Sequence, residues 1–167
     1  GRQVRFADRP PVAHHPWTEA ALSALLDGGN NVGYIGAYRG AEMAIAKARQ
    51  SGIASVGVYN SYYSGRNAYY VEKIARAGFA CAHFACSGDQ VAPLGGKKSV
   101  LGTNPMAFGL PGEPHPFVLD VATSATNNGD VILAGRLNQQ LPEGVAIDPE
   151  GNPTRDPAAA LAGSILT

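Results

Sequence analysis

Two successive helix-to-strand units, each closed by a glycine, constrain this chain more than any other feature. From Arg39 to Ser51, Ala41, Ala44, Ile45 and Ala48 recur at helical spacing, and Gly52 stands where a left-handed cap ends a helix. Ile53 to Tyr59 then reads as a short buried strand, rich in β-branched residues. Tyr69 to Ala77 repeats the helical pattern, Gly78 caps it, and Phe79 to Ala85 is a second strand. Strand and helix in alternation indicate an α/β fold. The second half changes style. Pro93-Leu94-Gly95-Gly96 is a turn, Met106 to Leu110 and Phe117 to Ala122 are short strands, and Asp130 to Leu137 is a helix. Ala146-Ile147-Asp148 runs into a turn with Pro149 at its second position. Asp156-Pro157 opens an alanine-rich helix, as N-cap and first helical residue. Closely spaced strands with tight turns predict antiparallel pairing, so the expected architecture is a mixed, partly antiparallel sheet with flanking helices.

Residues 1–32 read as a connecting segment, set by Pro10, Pro11 and Pro16. Two readings fit its end. Trp17 to Leu26 forms a short helix with Thr18 as N-cap and Gly28-Gly29 as its stop. Alternatively, Ala24 to Leu26 is a strand and Asp27-Gly28 its hairpin turn. Residues 33–167 make one further domain. Thirteen basic residues balance thirteen acidic ones among 167, which argues against nucleic acid or an anionic membrane as partner. No apolar run approaches the roughly 20 residues that span a bilayer. Arg2, Arg5 and Asp8 are followed by no apolar core, so no signal peptide is expected and the cytoplasm is the expected compartment. Cys81 and Cys86 lie five apart, on opposite faces of a strand, and read as two buried free thiols. His14, His15, His83 and His115 lack metal-ligand spacing, so no metal is expected.

Phosphate-binding fingerprints fail. Gly33-x-x-Gly36-x-x-x-Gly40 does not have Rossmann spacing, and Gly95-Gly96-Lys97-Lys98-Ser99 lacks the first glycine and the ending of a Walker loop. Both read as turn glycines, and no Gly-x-Ser-x-Gly elbow is present. What stands out is a set of polar residues at strand ends, where loops are accessible and the scaffold holds them. They are Asn60-Ser61-Tyr62-Tyr63-Ser64-Gly65, Ser87, Leu101-Gly102-Thr103-Asn104-Pro105 and Asp120-Val121-Ala122-Thr123-Ser124. Asp120 follows Phe117-Val118-Leu119 directly, so its carboxylate is expected to be part-buried and to need a partner.

These segments resemble one family. Gly52-Ile53-Ala54 through Asn60-Ser61, Ala77-Gly78-Phe79, Val91 to Gly96, Leu101-Gly102-Thr103-Asn104-Pro105, Asp120-Val121-Ala122-Thr123-Ser124, Pro142-Glu143-Gly144 and Gly151 to Pro157 occur in the order of the malate/L-lactate dehydrogenase type 2 family. The resemblance runs from about Gly33 to the end. It implies an NAD(P)-dependent oxidoreductase acting on a small 2-oxo or 2-hydroxy acid, with a cofactor domain that is not a Rossmann fold. A cyclic-imine carboxylate reductase is the alternative, or a nucleotide-binding domain without turnover. Relatives are roughly twice this length, so the chain reads as their central NAD(P)-binding domain, truncated at both ends. The full-length protein is expected to be a homodimer.

By the same resemblance, Ser87 and Asp120-Val121-Ala122-Thr123-Ser124 contact NAD or NADP, and Thr103-Asn104 lines the nicotinamide side. Two positions depart from the family. Tyr63 stands where many relatives carry a histidine that accepts the proton, and Asp130 stands where many have lysine. A phenol, with an ordinary pKa near 10, is a poor base at neutral pH but hydrogen-bonds a substrate oxygen. The chain alone is therefore expected to bind cofactor and turn substrate over poorly, with Tyr63 as its candidate catalytic residue.

Overall fold

The computed structural model describes residues 16–167; the proline-rich reading of residues 1–15 lies outside them. Among the described residues, nine strands and four helices follow in the order β1 (Pro16–Glu19), β2 (Ser23–Val32), α1 (Gly33–Ser51), β3 (Ser55–Tyr62), α2 (Ala68–Arg76), β4 (Cys81–Phe84), β5 (Val91–Ala92), β6 (Met106–Leu110), β7 (Phe117–Val121), α3 (Asn128–Arg136), β8 (Ala146–Ile147), α4 (Pro157–Ala162) and β9 (Ser164–Leu166). The fold is mixed α/β, as expected. It has three small three-stranded sheets in place of one, ordered β1-β2-β3, β4-β6-β7 and β5-β9-β8. Contacts divide the chain into two units, one running to Cys81 and including Gly109–Phe117, the other Ala82–Phe108 and Val118–Thr167.

In the first unit, β1 and β2 form an antiparallel hairpin, with Thr18 opposite Leu25 and Glu19 opposite Ala24. Its turn is closed by the Ala20 amide donating to Ser23 at 2.9 Å. Neither reading of residues 17–32 survives whole. The helix does not form, and the strand runs straight through Asp27-Gly28 instead of turning there. The reason is local: Asp27 Oδ1 accepts from the Gly29 amide at 2.8 Å and from Asn60 Nδ2 at 3.0 Å, holding a bulge against β3. Strands β2 and β3 run parallel, with Leu26 opposite Val58, and α1 makes the crossover that parallel pairing requires.

Helix α1 starts six residues before the alanine pattern suggests. Gly33, Gly36 and Gly40 are not turn glycines; they lie within α1 and are buried. A Cβ at Gly36 would stand 3.0 Å from Val58 Cγ1, so the glycines let the helix lie close on β3. Gly52 closes the helix at φ +79°, in the expected left-handed cap. Lys47 is buried on α1 and reaches back to the hairpin, donating to the Ala20 carbonyl at 2.7 Å and pairing with Glu19 at 2.8 Å. Helix α2 ends as predicted, with Gly78 at φ +92°.

The second unit packs α3 and α4 around Val91, Val131, Leu141, Val145, Ala146, Ala160 and Ile165. Strand β9 pairs parallel with β5 and antiparallel with β8. Both helix starts are capped by side chains: Asn127 accepts from the Asp130 amide, and Asp156 accepts from Ala158 and Ala159, with Pro157 in the first turn. The expected turn at Asp148–Gly151 forms, its Gly151 amide donating to Asp148 at 3.0 Å. Cys81 is half-buried, with its thiol donating to the Val71 carbonyl at 3.4 Å, while Cys86 is exposed. The expectation of two buried thiols fails at Cys86 because β4 ends at Phe84, two residues earlier.

Candidate functional site

Strand ends in the second unit gather a set of hydroxyl and amide groups. Ser87 follows β4, Thr103 and Asn104 precede β6, and Thr123 follows β7. Thr103 ties them together. Its amide donates to Ser87 Oγ at 2.9 Å, its Oγ1 lies 3.2 Å from the same hydroxyl, and its carbonyl accepts from both the amide and the hydroxyl of Thr123 at 2.9 and 3.0 Å. The Ser87 amide in turn donates to Asn104 Oδ1 at 3.3 Å. Three segments far apart in sequence therefore share one exposed polar cluster.

The glycine between these partners is required. A Cβ at Gly102 would stand 2.5 Å from the carbonyl and hydroxyl oxygens of Ser87 and 2.6 Å from Asn104 Oδ1. Asn104 adopts φ +37°, a left-handed conformation that asparagine tolerates better than most residues. The cluster is thus held by its own backbone and presents oxygens on a fixed frame. It carries no charge of its own.

Asp120 departs from expectation. It is exposed, as are Phe117, Leu119 and Val121 of the same strand, so the apolar run before it marks an uncovered sheet and not a buried one. Asp120 lies near enough to His83 of β4 for its charge to act on the imidazole. Burial pushes the His83 imidazole below its ordinary pKa, and the Asp120 carboxylate opposes that shift. Val121, Ala122 and Thr123 are exposed beyond it, and Ser124 Oγ donates to the Thr126 carbonyl at 2.7 Å. Among the described residues, His, Cys, Asp and Glu nowhere gather in threes as a metal would need.

Tyr63 belongs to the first unit. It is 71% exposed and sits at φ +56°, at the end of β3. The ring of Tyr34, from the first turn of α1, meets it edge-on with centroids 5.8 Å apart. Partial burial raises the Tyr34 phenol above its ordinary pKa, and the charge and hydrogen bond of Tyr63 raise it further. Sequence reasoning missed Tyr34, because the start of α1 was not legible. The signal was the i, i+4 pair Tyr34 and Tyr38, which faces one side of the helix once its true start is known.

The profile of the malate/L-lactate dehydrogenase family matches residues 10–167. The chain belongs to that family. It is 42% identical over 148 residues to an L-sulfolactate dehydrogenase of Methanothermobacter thermautotrophicus, covering 89% of this chain and 43% of that protein. A Delta(1)-pyrroline-2-carboxylate/Delta(1)-piperideine-2-carboxylate reductase of Pseudomonas putida is 44% identical over 126 residues, 75% of this chain and 37% of its own. Among solved structures, a dehydrogenase from Sinorhizobium meliloti superposes with a TM-score of 0.86 at 33% identity, over 92% of this chain and 45% of that one. The chain spans less than half the length of the malate/L-lactate dehydrogenase relatives it matches.

The structure shows what surrounds Asp130 and Tyr63, the two positions expected to depart from the family. Asp130 occupies the third helical position of α3, its amide bonded to Asn127 Oδ1 at 2.9 Å and its carboxylate accepting from Asn127 Nδ2. Asn127 thus caps α3 through the Asp130 amide while the Asp130 carboxylate holds the capping side chain, so Asp130 serves the helix start. The Tyr63 ring is paired edge-on with a second phenol, that of Tyr34.

Proposed function

We propose that this chain is the cofactor-binding part of an NAD(P)-dependent oxidoreductase that interconverts a small 2-oxo acid and its 2-hydroxy acid. The observation that carries the reading is the convergence of Ser87, Thr103, Asn104 and Thr123, within a chain of the malate/L-lactate dehydrogenase family. Relatives are named for both cofactors: a (2R)-3-sulfolactate dehydrogenase (NADP(+)) of Chromohalobacter salexigens and a ureidoglycolate dehydrogenase (NAD(+)) of Escherichia coli. The cluster fits such a nucleotide. Its uncharged hydroxyls and amides, kept open by Gly102, match the ribose hydroxyls and the carboxamide in hydrogen-bonding character.

Ser87, Thr103, Asn104 and Thr123 would hold the nucleotide, with the exposed run Asp120-Val121-Ala122 beside them and Ser124 closing the segment. When bound, the nicotinamide supplies or accepts the hydride. Asp120 orients, accepting from amide or ribose hydroxyl groups. Tyr63 holds a proton at Oη for the alkoxide oxygen that forms as a carbonyl is reduced, and Tyr34 keeps that phenol in place. The Pseudomonas putida relative supports a second substrate class, a cyclic imino acid, for the same chemistry at a C=N bond.

The domain assignment of residues 33–167, a homodimer of the full-length protein and a cytoplasmic location complete the reading. Leu94 at 95% exposure and Phe84 at 65% are apolar surfaces of the kind that partners cover, and no described helix is long and apolar enough to cross a membrane. Titration of the chain with NADH and NADPH, followed by nicotinamide fluorescence, tests the core of the proposal. Binding is expected, and Asp120→Ala should weaken it severalfold with an unchanged circular dichroism spectrum. No binding of either nucleotide overturns the reading; unchanged affinity in the variant removes Asp120 from the site.

A further inference from the structure

Unit one carries an open pocket of about 490 Å³ formed by Tyr34, Ile35, Tyr38, Arg66, Tyr69 and Tyr70, within the size range of small-molecule sites. Four tyrosines would normally make a polar wall. Here two of their hydroxyls are already engaged, with Tyr70 Oη donating to the Ser64 carbonyl at 2.6 Å and Tyr38 Oη accepting from Lys73 Nζ at 3.2 Å, and the Tyr34 ring packs edge-on against Tyr63. Ring faces and edges remain for a ligand. The Tyr38 and Tyr69 rings lie 6.3 Å apart at 26°, and Tyr69 meets Tyr70 edge-on at 5.5 Å.

Arg66 is the charged member of this lining. Neighbouring cations are committed: Lys73 pairs with Glu42 at 3.4 Å and lies over the Tyr38 ring, while Arg76 pairs with Glu72 at 2.7 Å. Among the described residues, the Arg66 guanidinium makes no ion pair or side-chain hydrogen bond, and no acid lines the pocket. The segment that carries it is packed and hydrogen-bonded on either side of Gly65. Gly65 at φ +75° packs so close to Tyr34 that a Cβ there would stand 2.1 Å from the ring, and Ser64 Oγ donates to the buried Asn67 at 2.9 Å.

The geometry points to a site for a monocarboxylate with an aromatic body, its carboxylate on Arg66 and its ring among Tyr34, Tyr38 and Tyr69. A guanidinium binds one carboxylate bidentately, and aromatic walls reward a flat apolar body. A dianionic acid such as malate or sulfolactate would leave its second charge against tyrosine rings, unpaired. Through Tyr34, the pocket adjoins the phenol pair that includes Tyr63. The ligand class is therefore a monocarboxylic acid bearing an aromatic side chain, a class that includes aromatic 2-oxo and 2-hydroxy acids.

Calorimetric titration of the chain with 3-phenyllactate, lactate and malate tests this, with NADH titrated in parallel. Phenyllactate is expected to bind at least about tenfold more tightly than either small acid, and Arg66→Gln to weaken it by about tenfold or more. Tyr69→Ala should also weaken phenyllactate while leaving NADH affinity unchanged. Equal binding of the three acids, or an Arg66→Gln variant with unchanged affinity, overturns the assignment. If NADH binds and phenyllactate does not, the pocket inference fails alone. If phenyllactate binds and neither nicotinamide nucleotide does, the oxidoreductase reading fails and the carboxylate site stands.

Discussion

The two units of this chain build their candidate sites from opposite materials. In the first, a nineteen-residue helix lies on a sheet containing strands of eight and ten residues, and the site is made of aromatic side chains that long elements hold apart. In the second, most strands are five residues or shorter, and the site is made of hydroxyls that bond to each other's backbone. Long elements fix side-chain directions over many residues, so they can frame an apolar pocket. Short strands fix mainly their ends, so they favour a site in which the loop itself is the ligand-binding surface. The contrast teaches that a wall of aromatic side chains and a cluster of loop hydroxyls need different scaffolds, and one small chain supplies both.

The most severe way to break this contrast is Gly65→Ala. Its Cβ would stand 2.1 Å from Tyr34 in a backbone conformation at φ +75°, so the ring must leave its place. A loss of about 2–4 kcal/mol is expected, read as a lower midpoint in chemical denaturation, together with loss of phenyllactate binding. A fully stable variant with intact binding would show that the pocket wall is soft. Thr123→Val probes the other unit more gently. It removes the side-chain bond to the Thr103 carbonyl and keeps the amide bond to the same atom. NADH affinity should fall about fivefold, near 1 kcal/mol, while acid binding in the first unit is unaffected.

The smallest effect concerns His83. Its pKa is lowered in the fold by burial, so the unfolded chain holds more protons between that lowered value and the ordinary value near 6.5. Stability contributed by the neutral imidazole is complete above the ordinary value and declines as pH falls through this window. Thermal midpoints measured from pH 7.5 to 5 should therefore decrease, and His83→Gln should flatten the decline. A variant with the same slope as the parent assigns the acid sensitivity to other groups.

What was legible in the sequence follows the same division. Gly52, Gly78, Asp148-Pro149 and Asp156-Pro157 act through their own backbone preferences, and each appears where the residues place it. The Asp27-Gly28 turn signal failed because a partner from β3, Asn60, competes for the same carboxylate. Asp120 failed for a different reason: an apolar run says that a strand forms, not that anything covers it. The start of α1 was hidden because Val32 offers no side-chain cap and three glycines lower the helical signal. With that start went Tyr34, and with Tyr34 the aromatic pocket. The hydroxyl cluster was legible as separate strand ends, and only folding shows that Thr103 joins them.

The glycines of α1 carry a consequence for how this sequence can drift over generations. Gly36 and Gly40 meet the two methyl groups of a single residue, Val58, at 3.0 and 3.3 Å from where their own Cβ atoms would be. One side chain on the strand thus occupies the volume that two positions on the helix have given up. A methyl gained at position 36 presses on the side chain at position 58, and position 40 draws on the same space. Residues 36, 40 and 58 therefore share one volume, and the side chains they carry jointly set how closely helix and sheet can lie.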